Sequence, residues 1–548
     1  MESDHIVEKG QVAPESLNVD AGSPVEHHTP KQLGLVFVGL ALAIFVASIN
    51  GTIVATALPV IANDLNGLSS LAWIGTSYLL TSTAFQPLSG VLSDIFGRLY
   101  TFLGFIAFFV LGSVLCGAAN GIGMMIGARL IQGVGGGGLI SLCMIIIADI
   151  VSIRDQGKYQ GIIGATSALA MVIGPLAGGG IVDHTSWRLI FYVFLPVMGF
   201  SCVVLIMYLR IPIPQGALSS KVKKIDFLGA LVLCASTSMI LLALSWGGSQ
   251  YSWSSPTVLC LLIFGFLLLG GFVLVEAKFA TLPILPVYLF RIRNFWTSNA
   301  IAFVAGFFMY GAIYFVPLYY RNVHGYDATA GGLSLLPLML SLVFASMIGG
   351  GLTSRFGVVR PFIWIGTVLL AVGSGLLSTL NESSPRGVEI IVLVVAGLGL
   401  GLIIQSAQIA VQASVETKDM ATGTAAVSFF RNFGGVLGVG ISATILQDRW
   451  SNFLIQQFNT NGIPLSALAS LDLSDVSTIS PDLRVLVIRA FIMAMNYIWY
   501  ISCAASCIGV FFALFIKYVE LSKAVPAEIV PSTGSQVEVV SEASSAKT

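Results

Sequence analysis

Several polar side chains stand within long apolar stretches of the sequence, where each needs a structural or chemical reason. Arg129 lies about 9 Å from the nearer end of its stretch, at 1.5 Å per residue of helix. A charge at such a position in a membrane is costly and is functional by default. Gln405, Gln408 and Gln412 follow at i, i+3 and i+7, which places three amides on one helix face. This uncharged face suits a solute with hydroxyl or carbonyl groups.

A second apolar stretch carries an aromatic row at helical spacing. Its members lie on one stripe of the predicted helix and are Phe303, Phe307, Tyr310 and Tyr314. An aromatic stripe opposite an amide face favours an apolar or amphipathic solute. The sequence therefore predicts a binding cavity between these two helices rather than a catalytic centre.

A short polar run separates two apolar stretches and reads Gly90-Val-Leu-Ser-Asp94-Ile-Phe-Gly97-Arg98. Its glycines allow close helix approach and a sharp turn. We expect the Asp94 carboxylate to accept N–H groups at the start of a later helix, near Ala426 or Val427. We also expect Arg98 to pair with Asp149. Such contacts would latch two halves of the protein together at an inner gate.

The composition determines the environment of these residues. The chain has 548 residues, of which 56% are hydrophobic and 9% charged, whereas a soluble globular protein has about 25% charged residues. So few charges cannot cover a water-facing surface, which excludes a soluble enzyme of this size. Lys and Arg total 26, as do Asp and Glu, and a net charge of zero gives no reason to expect nucleic acid as a partner. The sequence predicts an integral membrane protein with many spans.

Fourteen apolar stretches are long enough to cross the bilayer, which takes about 20 helical residues. We number them spans 1 to 14 in chain order: Gly34–Pro59, Ala72–Leu92, Phe102–Ala119, Gly123–Ile150, Tyr159–Val182, Leu189–Leu209, Phe227–Trp246, Ser255–Val275, Thr297–Tyr319, Ala330–Leu352, Pro361–Leu380, Val388–Val411, Val427–Leu446 and Ile492–Ile516. Most Lys and Arg residues then share the side of the N-terminus, as a cytoplasmic N-terminus requires. Arg431 counts as cytoplasmic, and Arg129 alone lies well inside a span. Both termini are predicted to be cytoplasmic.

An internal repeat relates the two halves of the chain. The loop from Gly90 to Gly97, after span 2, matches the loop from Gly350 to Gly357, after span 10. The glycine-rich segment of span 5, residues 174–179, is matched by residues 434–438 of span 13. Parallel six-span repeats are the architecture of rocker-type secondary transporters. The predicted organisation is a disordered cytoplasmic tail (1–33), an N-terminal six-helix bundle (34–210), a linker with inserted spans 7 and 8 (211–296), a C-terminal six-helix bundle (297–516) and a cytoplasmic tail (517–548).

These motifs resemble those of the major facilitator superfamily, especially its fourteen-span drug:proton antiporters of the fungal type. The segments that carry the resemblance are the loop from Gly90 to Arg98, Arg129-Leu-Ile-Gln132-Gly133-Val-Gly135 of span 4, Gly174-Pro175-Leu-Ala-Gly178-Gly179 of span 5, Gly51-Thr52-Ile53-Val54-Ala-Thr-Ala-Leu58-Pro59 of span 1 and Trp187-Arg188-Leu-Ile-Phe191-Tyr192 before span 6. The span 5 segment resembles a motif held mainly by antiporters, and its glycines and proline predict a broken helix ladder and a bare face for close packing. The resemblance implies an all-α polytopic major facilitator fold, in which two pseudo-symmetric bundles and two inserted helices make fourteen spans. It also implies that spans 1, 4, 9 and 12 line a central cavity.

Span 1 departs from the family that it resembles. There an acid often shares the depth of the span 4 arginine, in the pattern Leu-Asp-x-Thr-Ile-Val, whereas this chain has Asn50 at that position. Asn50, Arg129 and Gln132 are still expected to belong to the cavity and coupling site. Because Asn cannot titrate, we expect one weakly coupled proton, handled at the gate by Asp149 with Arg98. The rival is uncoupled export, with Asn50 hydrogen-bonded to the solute or to Arg129.

The resemblance predicts a secondary active transporter that exports a hydrophobic or amphipathic organic compound, such as a secondary metabolite, toxin or drug, by alternating access. Alternatives are a siderophore or basic amino acid carrier of the same family, or an uncoupled facilitator. Basic substrates would need acids in the cavity, and the sequence offers none there.

Catalysis, a metal and a cofactor are not expected. The sequence has no phosphate-binding loop, no intramembrane histidine and no paired carboxylates, and its seven cysteines all fall in apolar stretches. The expected partners are the small-molecule solute, protons and the lipid bilayer, and the protein is expected to be a monomer. The plasma membrane is the expected location, with the vacuolar membrane as the alternative. Asn381, in Asn381-Glu-Ser, is a glycosylation candidate in an outer loop.

Overall fold

The computed structural model describes residues 30–67, 71–211, 226–247, 251–280, 283–326, 328–460, 481–519 and 521. In these ranges the chain is helical, because a backbone in hydrocarbon must satisfy its own N–H and C=O groups. The α-helices are Pro30–Asp64, Leu71–Phe96, Arg98–Gly117, Ile122–Ile150, Ile153–His184, Leu189–Tyr192, Leu195–Tyr208, Phe227–Trp246, Pro256–Lys278, Arg293–His324, Ala328–Leu333, Leu336–Phe356, Arg360–Leu377, Arg386–Gln412, Met420–Thr460 and Pro481–Leu514. Short 3₁₀ helices lie at Val287–Arg291 and Thr417–Asp419. The predicted tails fall mostly outside these ranges, and so does most of the predicted linker before span 7.

The sixteen described α-helices account for the fourteen predicted spans, because spans 6 and 10 each consist of two helices. Thirteen of them are long and apolar enough to cross a membrane. The remaining one, Leu71–Phe96, forms span 2 and has 26 residues. It is less apolar because it carries buried polar side chains such as Gln86, Ser89 and Ser93, which face other helices rather than lipid. The fold is that of an all-α polytopic membrane protein.

Several helix bounds differ from the predicted ones. Span 1 begins at Pro30, so its helix takes the last residues of the predicted tail. Span 6 consists of two pieces, Leu189–Tyr192 and Leu195–Tyr208. Span 13 is one helix of 41 residues, Met420–Thr460, and extends beyond the predicted span at both ends. The prediction followed the apolar core of each span, whereas polar residues packed between helices or beyond the bilayer continue the same helix.

Two hydrophobic cores hold the halves of the chain. One packs residues of spans 1 to 6, including Ile44, Phe102 and Leu205. The second packs residues of spans 9 to 14, including Phe308 and Trp499. Spans 7 and 8 pack against each other, and span 7 lies against span 2 through the ring contact of Trp73 with Trp246, whose centroids are 5.3 Å apart.

The halves meet closely at the end that was predicted to be cytoplasmic, which we term the inner end. A methyl group at Gly90 of span 2 would lie 3.1 Å from the carbonyl oxygen of Ala421 in span 13. A methyl group at Gly157 of span 5 would lie 2.6 Å from the carbonyl oxygen of Gly350 in span 10. Spans 2 and 10, like spans 5 and 13, are equivalent in the repeat. The inner end is therefore closed by two contacts related by the internal symmetry.

The loops that follow spans 2 and 10 have the same backbone feature. Gly97 has φ 93° and Gly357 has φ 70°, values that favour glycine because it has no Cβ. Each glycine ends one helix, and the next helix begins at Arg98 after Gly97 and at Arg360 after Gly357. The pairing of these two glycines in the sequence repeat is thus reproduced in the backbone.

Candidate functional site

A central cavity lies between the two halves, and its empty volume of about 830 Å³ includes space open to solvent. Its lining comes from spans 1, 4 and 5 of one half and spans 9, 10, 12 and 13 of the other. The lining residues are Ile44, Ser48, Ile140, Met144, Gln160, Gly164, Ser167, Met171, Met309, Tyr310, Met339, Leu342, Ser346, Ile404, Gln405, Gln408, Arg431 and Asn432. The expected spans 1, 4, 9 and 12 contribute, and spans 5, 10 and 13 contribute as well.

The glutamine row of span 12 divides between the cavity and its floor. Gln405 and Gln408 line the cavity, whereas Gln412 is buried one turn further toward the inner end. Gln405 Nε2 donates to Gln160 Oε1 of span 5 at 3.0 Å, and Gln160 Nε2 donates to Gln412 Oε1 at 3.1 Å. Gln412 Nε2 donates in turn to Thr424 Oγ1 at 3.0 Å. Gln160 therefore joins the two halves by hydrogen bonds at the floor of the cavity.

Arg431 of span 13 lines the cavity, which overturns its assignment to the cytoplasmic interface. Its helix begins at Met420, so Arg431 lies about 16 Å along it at 1.5 Å per residue. The expectation that Arg129 alone lies well inside a span is therefore wrong. Next to Arg431, Asn432 Oδ1 accepts a hydrogen bond from the Tyr310 hydroxyl at 3.0 Å. A cation and an amide of span 13 thus face the amides of span 12 across the cavity.

Arg129 does not line this cavity but lies in a polar network inside the N-terminal bundle. Its side chain is 1% exposed. Its guanidinium donates to Asn50 Oδ1 at 2.5 Å, to Gln132 Oε1 at 2.7 Å and to the carbonyl oxygen of Ile74 at 3.0 Å. The guanidinium also lies 4.4 Å from the centroid of the Tyr78 ring. Placing Asn50, Arg129 and Gln132 in the cavity was wrong, because depth along a helix does not determine the face on which a side chain points.

The signature loop forms an ion cluster at the inner end. Arg98 Nε donates to Asp149 Oδ2 at 2.6 Å, so the predicted pair is present. Arg98 Nη1 also binds Asp94 Oδ1 and donates to Ser93 Oγ at 2.7 Å. One guanidinium therefore binds two carboxylates, Asp94 in the last turn of the span 2 helix and Asp149 at the end of span 4.

The predicted acceptor role of Asp94 is wrong. Span 13 begins at Met420 rather than at Val427, so the backbone N–H groups of Ala426 and Val427 lie within the helix. Contact between the halves is made instead by side-chain packing, because Val91 and Ile95 join Ala426 and Val427 in one buried hydrophobic cluster. The latch at this position is apolar, and Asp94 is held by Arg98.

The start of span 13 is anchored to the loop before span 9. The Tyr288 hydroxyl donates to Asp419 Oδ1 at 2.6 Å. Burial and the neighbouring Asp419 carboxylate raise the pKa of the Tyr288 phenol, so it stays protonated and keeps donating at neutral pH.

In the second half, Ser354 takes the position of Asp94 and donates across the gate to Asp155 Oδ1 at 3.2 Å. The two symmetry-related gates thus use different polar contacts.

The aromatic row of span 9 does not share one environment. Tyr310 lines the central cavity, whereas Phe303 lines a separate cleft with residues of spans 13 and 14. Phe307 is buried, and Tyr314 is 43% exposed. The row extends over about 16 Å of helix, and the neighbours of the helix change over that length. The expectation of one aromatic cavity wall is therefore wrong for Phe303.

The span 5 motif packs through one glycine. A methyl group at Gly174 would lie 3.0 Å from the backbone N of Ile53 in span 1. Gly178 is buried, but at Gly179 a methyl group would meet no described atom within 4 Å. The helix continues through Pro175 from Ile153 to His184. The predicted break is thus absent, and the close face is shorter than the motif.

The segment that begins at Trp187 holds the outer end of span 1. Trp187 Nε1 donates to Asp64 Oδ2 at 2.9 Å, and Arg188 Nη1 binds the same oxygen at 3.2 Å. These two donors lower the pKa of Asp64. At this end the residues fix helix positions within one half, away from the cavity.

A buried acid near the outer end of span 12 was not anticipated. Glu389 has a fully buried side chain, and its Oε1 lies 3.0 Å from His324 Nε2 of span 9. The Tyr319 hydroxyl donates to the same oxygen at 3.5 Å. Glu389 stands in the first helical turn, where sequence reasoning expects a solvated acid, so its burial follows from the packing of spans 9 and 12. Asn381, the glycosylation candidate, lies nearby with an exposed side chain.

Gln160 and Arg431 were the other residues missed. Each carried a signal, namely a polar residue inside an apolar helix, but neither belongs to a motif.

Across the described ranges, no cluster of three or more His, Cys, Asp or Glu side chains is suited to a metal ion. Chemically, the site can bind a solute through one cation, several amides and an apolar wall.

Comparison with known proteins agrees with this geometry. The sequence model described as Major Facilitator Superfamily matches residues 40–439. Efflux pump FUS6 of Gibberella moniliformis is 32% identical over 93% of this chain and 92% of its own. MFS-type efflux pump LUC4 of a Fusarium species is 34% identical, covering 89% and 88% of the two chains. Multidrug transporter protein MdtP of Bacillus subtilis is 34% identical, covering 89% and 94%.

Two solved structures have the same fold. The human organic anion transporter MFSD10 superposes with a TM-score of 0.58 at 13% identity, covering 88% of this chain and 100% of that one. The proton:xylose symporter XylE superposes with a TM-score of 0.58 at 12% identity, covering 91% and 98%. At these identities the likeness extends to the fold alone.

Proposed function

The chain belongs to the major facilitator superfamily and is a membrane transporter rather than an enzyme, and on this premise we propose that it exports a hydrophobic or amphipathic organic compound. Secondary metabolites, toxins and drugs are the candidate solutes. The observation that carries the proposal is the cavity between the two halves, whose apolar wall with a few polar side chains is typical of small-molecule sites. The names of the relatives, two efflux pumps and a multidrug transporter, support the direction of transport.

Transport would proceed by alternating access. In the described conformation the inner end is closed below the cavity by the contacts of Gly90 and Gly157 and by the amide hydrogen bonds of Gln160. Rocking of the two bundles would separate these contacts and open the cavity to the inner side. Glycine contacts suit such a motion because they are close but carry no interlocking side chains.

We place the inner end in the cytoplasm, with both termini on that side and the plasma membrane as the location. The excess of Lys and Arg in the predicted inner segments supports this orientation. The protein would act as a monomer, since each chain holds both halves of the cavity.

Proton coupling is proposed at the gate. Arg98 binds both Asp94 and Asp149 while the inner end is closed. For protons to move inward as solute moves outward, one carboxylate would take up a proton while the inner end is closed and release it to the cytoplasm when opening hydrates the cluster. Asp149 is our candidate for the proton-binding carboxylate. It belongs to span 4 and pairs with Arg98 of another span, whereas Asp94 and Arg98 stand on either side of one short loop. Asn50 is bound to Arg129 and supplies no proton site.

Export can be tested in yeast that lacks its own multidrug exporters. Cells that produce the protein should retain less of a neutral fluorescent amphiphile, such as Nile red, than vector controls. Met339→Trp should abolish this difference because Met339 is 2% exposed and lines the cavity. Met347→Trp is the matched control, since Met347 lies on the same helix and is 48% exposed.

Equal retention in producing cells and vector controls, across a panel of amphiphiles, would contradict export. Normal export by a correctly trafficked Met339→Trp variant would show that the solute does not pass through this cavity.

A further inference from the structure

We propose that the central cavity binds an amphipathic organic anion, whose acidic group is held by Arg431. The inference rests on the proposed transport function and adds the chemical class of the solute. A carboxylate or sulfonate on a largely apolar body fits the lining. It also gives a purpose to a second buried cation that the signature motifs do not account for.

The side-chain donors of Arg431 are unused by the residues that the structure describes. Among the described residues, no hydrogen bond or ion pair is formed by its side chain, although it lines the cavity on a membrane-spanning helix. Arg129, the other deeply placed cation, has three oxygen acceptors and an aromatic ring around it. A guanidinium has five N–H donors in a planar fork that matches a carboxylate in bidentate geometry. Arg129 therefore uses three of its five donors on nearby oxygens, whereas the described residues use none of the side-chain donors of Arg431, which remain available for a solute.

The charge of the cavity points to the same class. The lining residues include one Arg and no Asp or Glu. A cationic solute would meet an unopposed positive charge in a poorly hydrated space, and a neutral one would leave that charge without a counter-ion. An anion would neutralise it. Charge-assisted hydrogen bonds are roughly twice as strong as neutral ones, so Arg431 would dominate recognition.

Neighbouring amides can complete the coordination of an acidic group. Asn432 follows Arg431 on span 13, and its Oδ1 already accepts from Tyr310. That bond orients the Asn432 side chain and leaves its amide N–H groups as donors. Gln408, also in the lining, makes a long contact of 3.5 Å with the Thr424 carbonyl oxygen. Both amides can donate to oxygens that the guanidinium does not reach.

The rest of the wall is apolar and adaptable. Four methionines line it, Met144, Met171, Met309 and Met339. Methionine is flexible and polarizable, and methionine-rich surfaces accept ligands of varied shape. The cavity would therefore select solutes by their acidic group and would accept apolar bodies of different shapes, as long as they fit between its walls.

The test compares a matched pair of probes on the purified full-length protein. Dansyl-aminoundecanoic acid carries a carboxylate, and its methyl ester differs only in lacking the charge. We expect the wild type to bind the acid about 10- to 100-fold more tightly than the ester, the range for hydrogen bonds to a charged group. Arg431→Gln should reduce acid affinity to that of the ester, and Arg431→Lys should retain part of the preference. Arg291→Gln, which removes an exposed cation outside the spans, should change neither.

Equal binding of acid and ester by the wild type would overturn the proposal, and so would unchanged acid affinity in Arg431→Gln. Thermal melting of each variant shows whether it is folded. Transport of the ester in inside-out vesicles separates this inference from the proposed function. If the ester is exported without any preference for the acid, export stands and the anion site is wrong. If the acid is preferred in binding but neither probe is transported, the anion site stands and export is wrong.

Discussion

Replacing Gly350 with Ala should favour the state in which the inner gate is open. A methyl group at Gly350 would overlap the carbonyl oxygen of Gly157, well inside the 3.0 Å that real Cβ atoms keep from such atoms. Spans 5 and 10 must then separate wherever they touch in the closed state. Overpacking of this kind typically costs about 1–3 kcal/mol. Because the cost applies to the closed state alone, the equilibrium should move about 5- to 150-fold toward the open state.

Cysteine accessibility measures this shift. Ser167 lines the cavity, and a Ser167→Cys substitution in a background without the native cysteines provides one reactive site. In inside-out vesicles, Gly350→Ala should increase the rate at which a membrane-impermeant maleimide labels this cysteine. Gly351→Ala is the control, since a methyl group there meets no described atom within 4 Å. Equal labelling of Gly350→Ala and wild type, or an equal increase in Gly351→Ala, would refute the role of this contact in closing the gate.

Three further perturbations test the polar networks. Asn50→Asp places a carboxylate beside Arg129, at a contact that is 2.5 Å in the wild type, and should steepen the pH dependence of efflux; an unchanged profile would argue against a proton site there. Asp149→Asn should leave solute binding intact but remove the stimulation of efflux by a pH gradient, and stimulation equal to wild type would reject Asp149 as the proton carrier. His324→Ala takes a partner from the fully buried Glu389 and should lower stability by about 1–3 kcal/mol. In the double variant with Glu389→Gln, the amide brings its own N–H donors to the site that His324 has left, so the melting temperature should recover, and failure to recover would contradict a stabilising His324–Glu389 contact.

The number and order of the spans could be predicted from the sequence because hydropathy is a local property. Each apolar stretch must cross the same thickness of hydrocarbon and can do so only as a helix. The internal repeat could also be recognised in the sequence. Gly97 and Gly357 occupy equivalent positions because the backbone has a positive φ at both, which favours glycine. The Arg98–Asp149 pair could be anticipated because both residues stand at the same end of adjacent helices.

Which side chains face the cavity could not be predicted, because facing depends on neighbours distant in the chain. Arg129 and Arg431 both stand deep in glycine-rich helices, yet one is enclosed by Asn50 and Gln132 and the other opens onto the cavity. Arg431 was assigned to the cytoplasmic interface because the polar residues at the start of span 13 are typical of a segment at the membrane surface. In the fold, Thr424 of that segment is buried against Gln412. Polar residues that satisfy one another between helices leave no signature in hydropathy.

Proton-driven export is tested most directly with the purified protein in sealed liposomes. A dansyl-labelled alkanesulfonic acid, which stays ionised and so does not cross the bilayer in a neutral form, is supplied at equal concentration on both sides, and a pH gradient is imposed. We expect the acid to accumulate on one side against its own gradient. A protonophore should collapse the accumulation, and Met339→Trp liposomes should show none. Equilibration without accumulation, at the same rate with and without the pH gradient, would contradict coupled export and leave an uncoupled facilitator in its place.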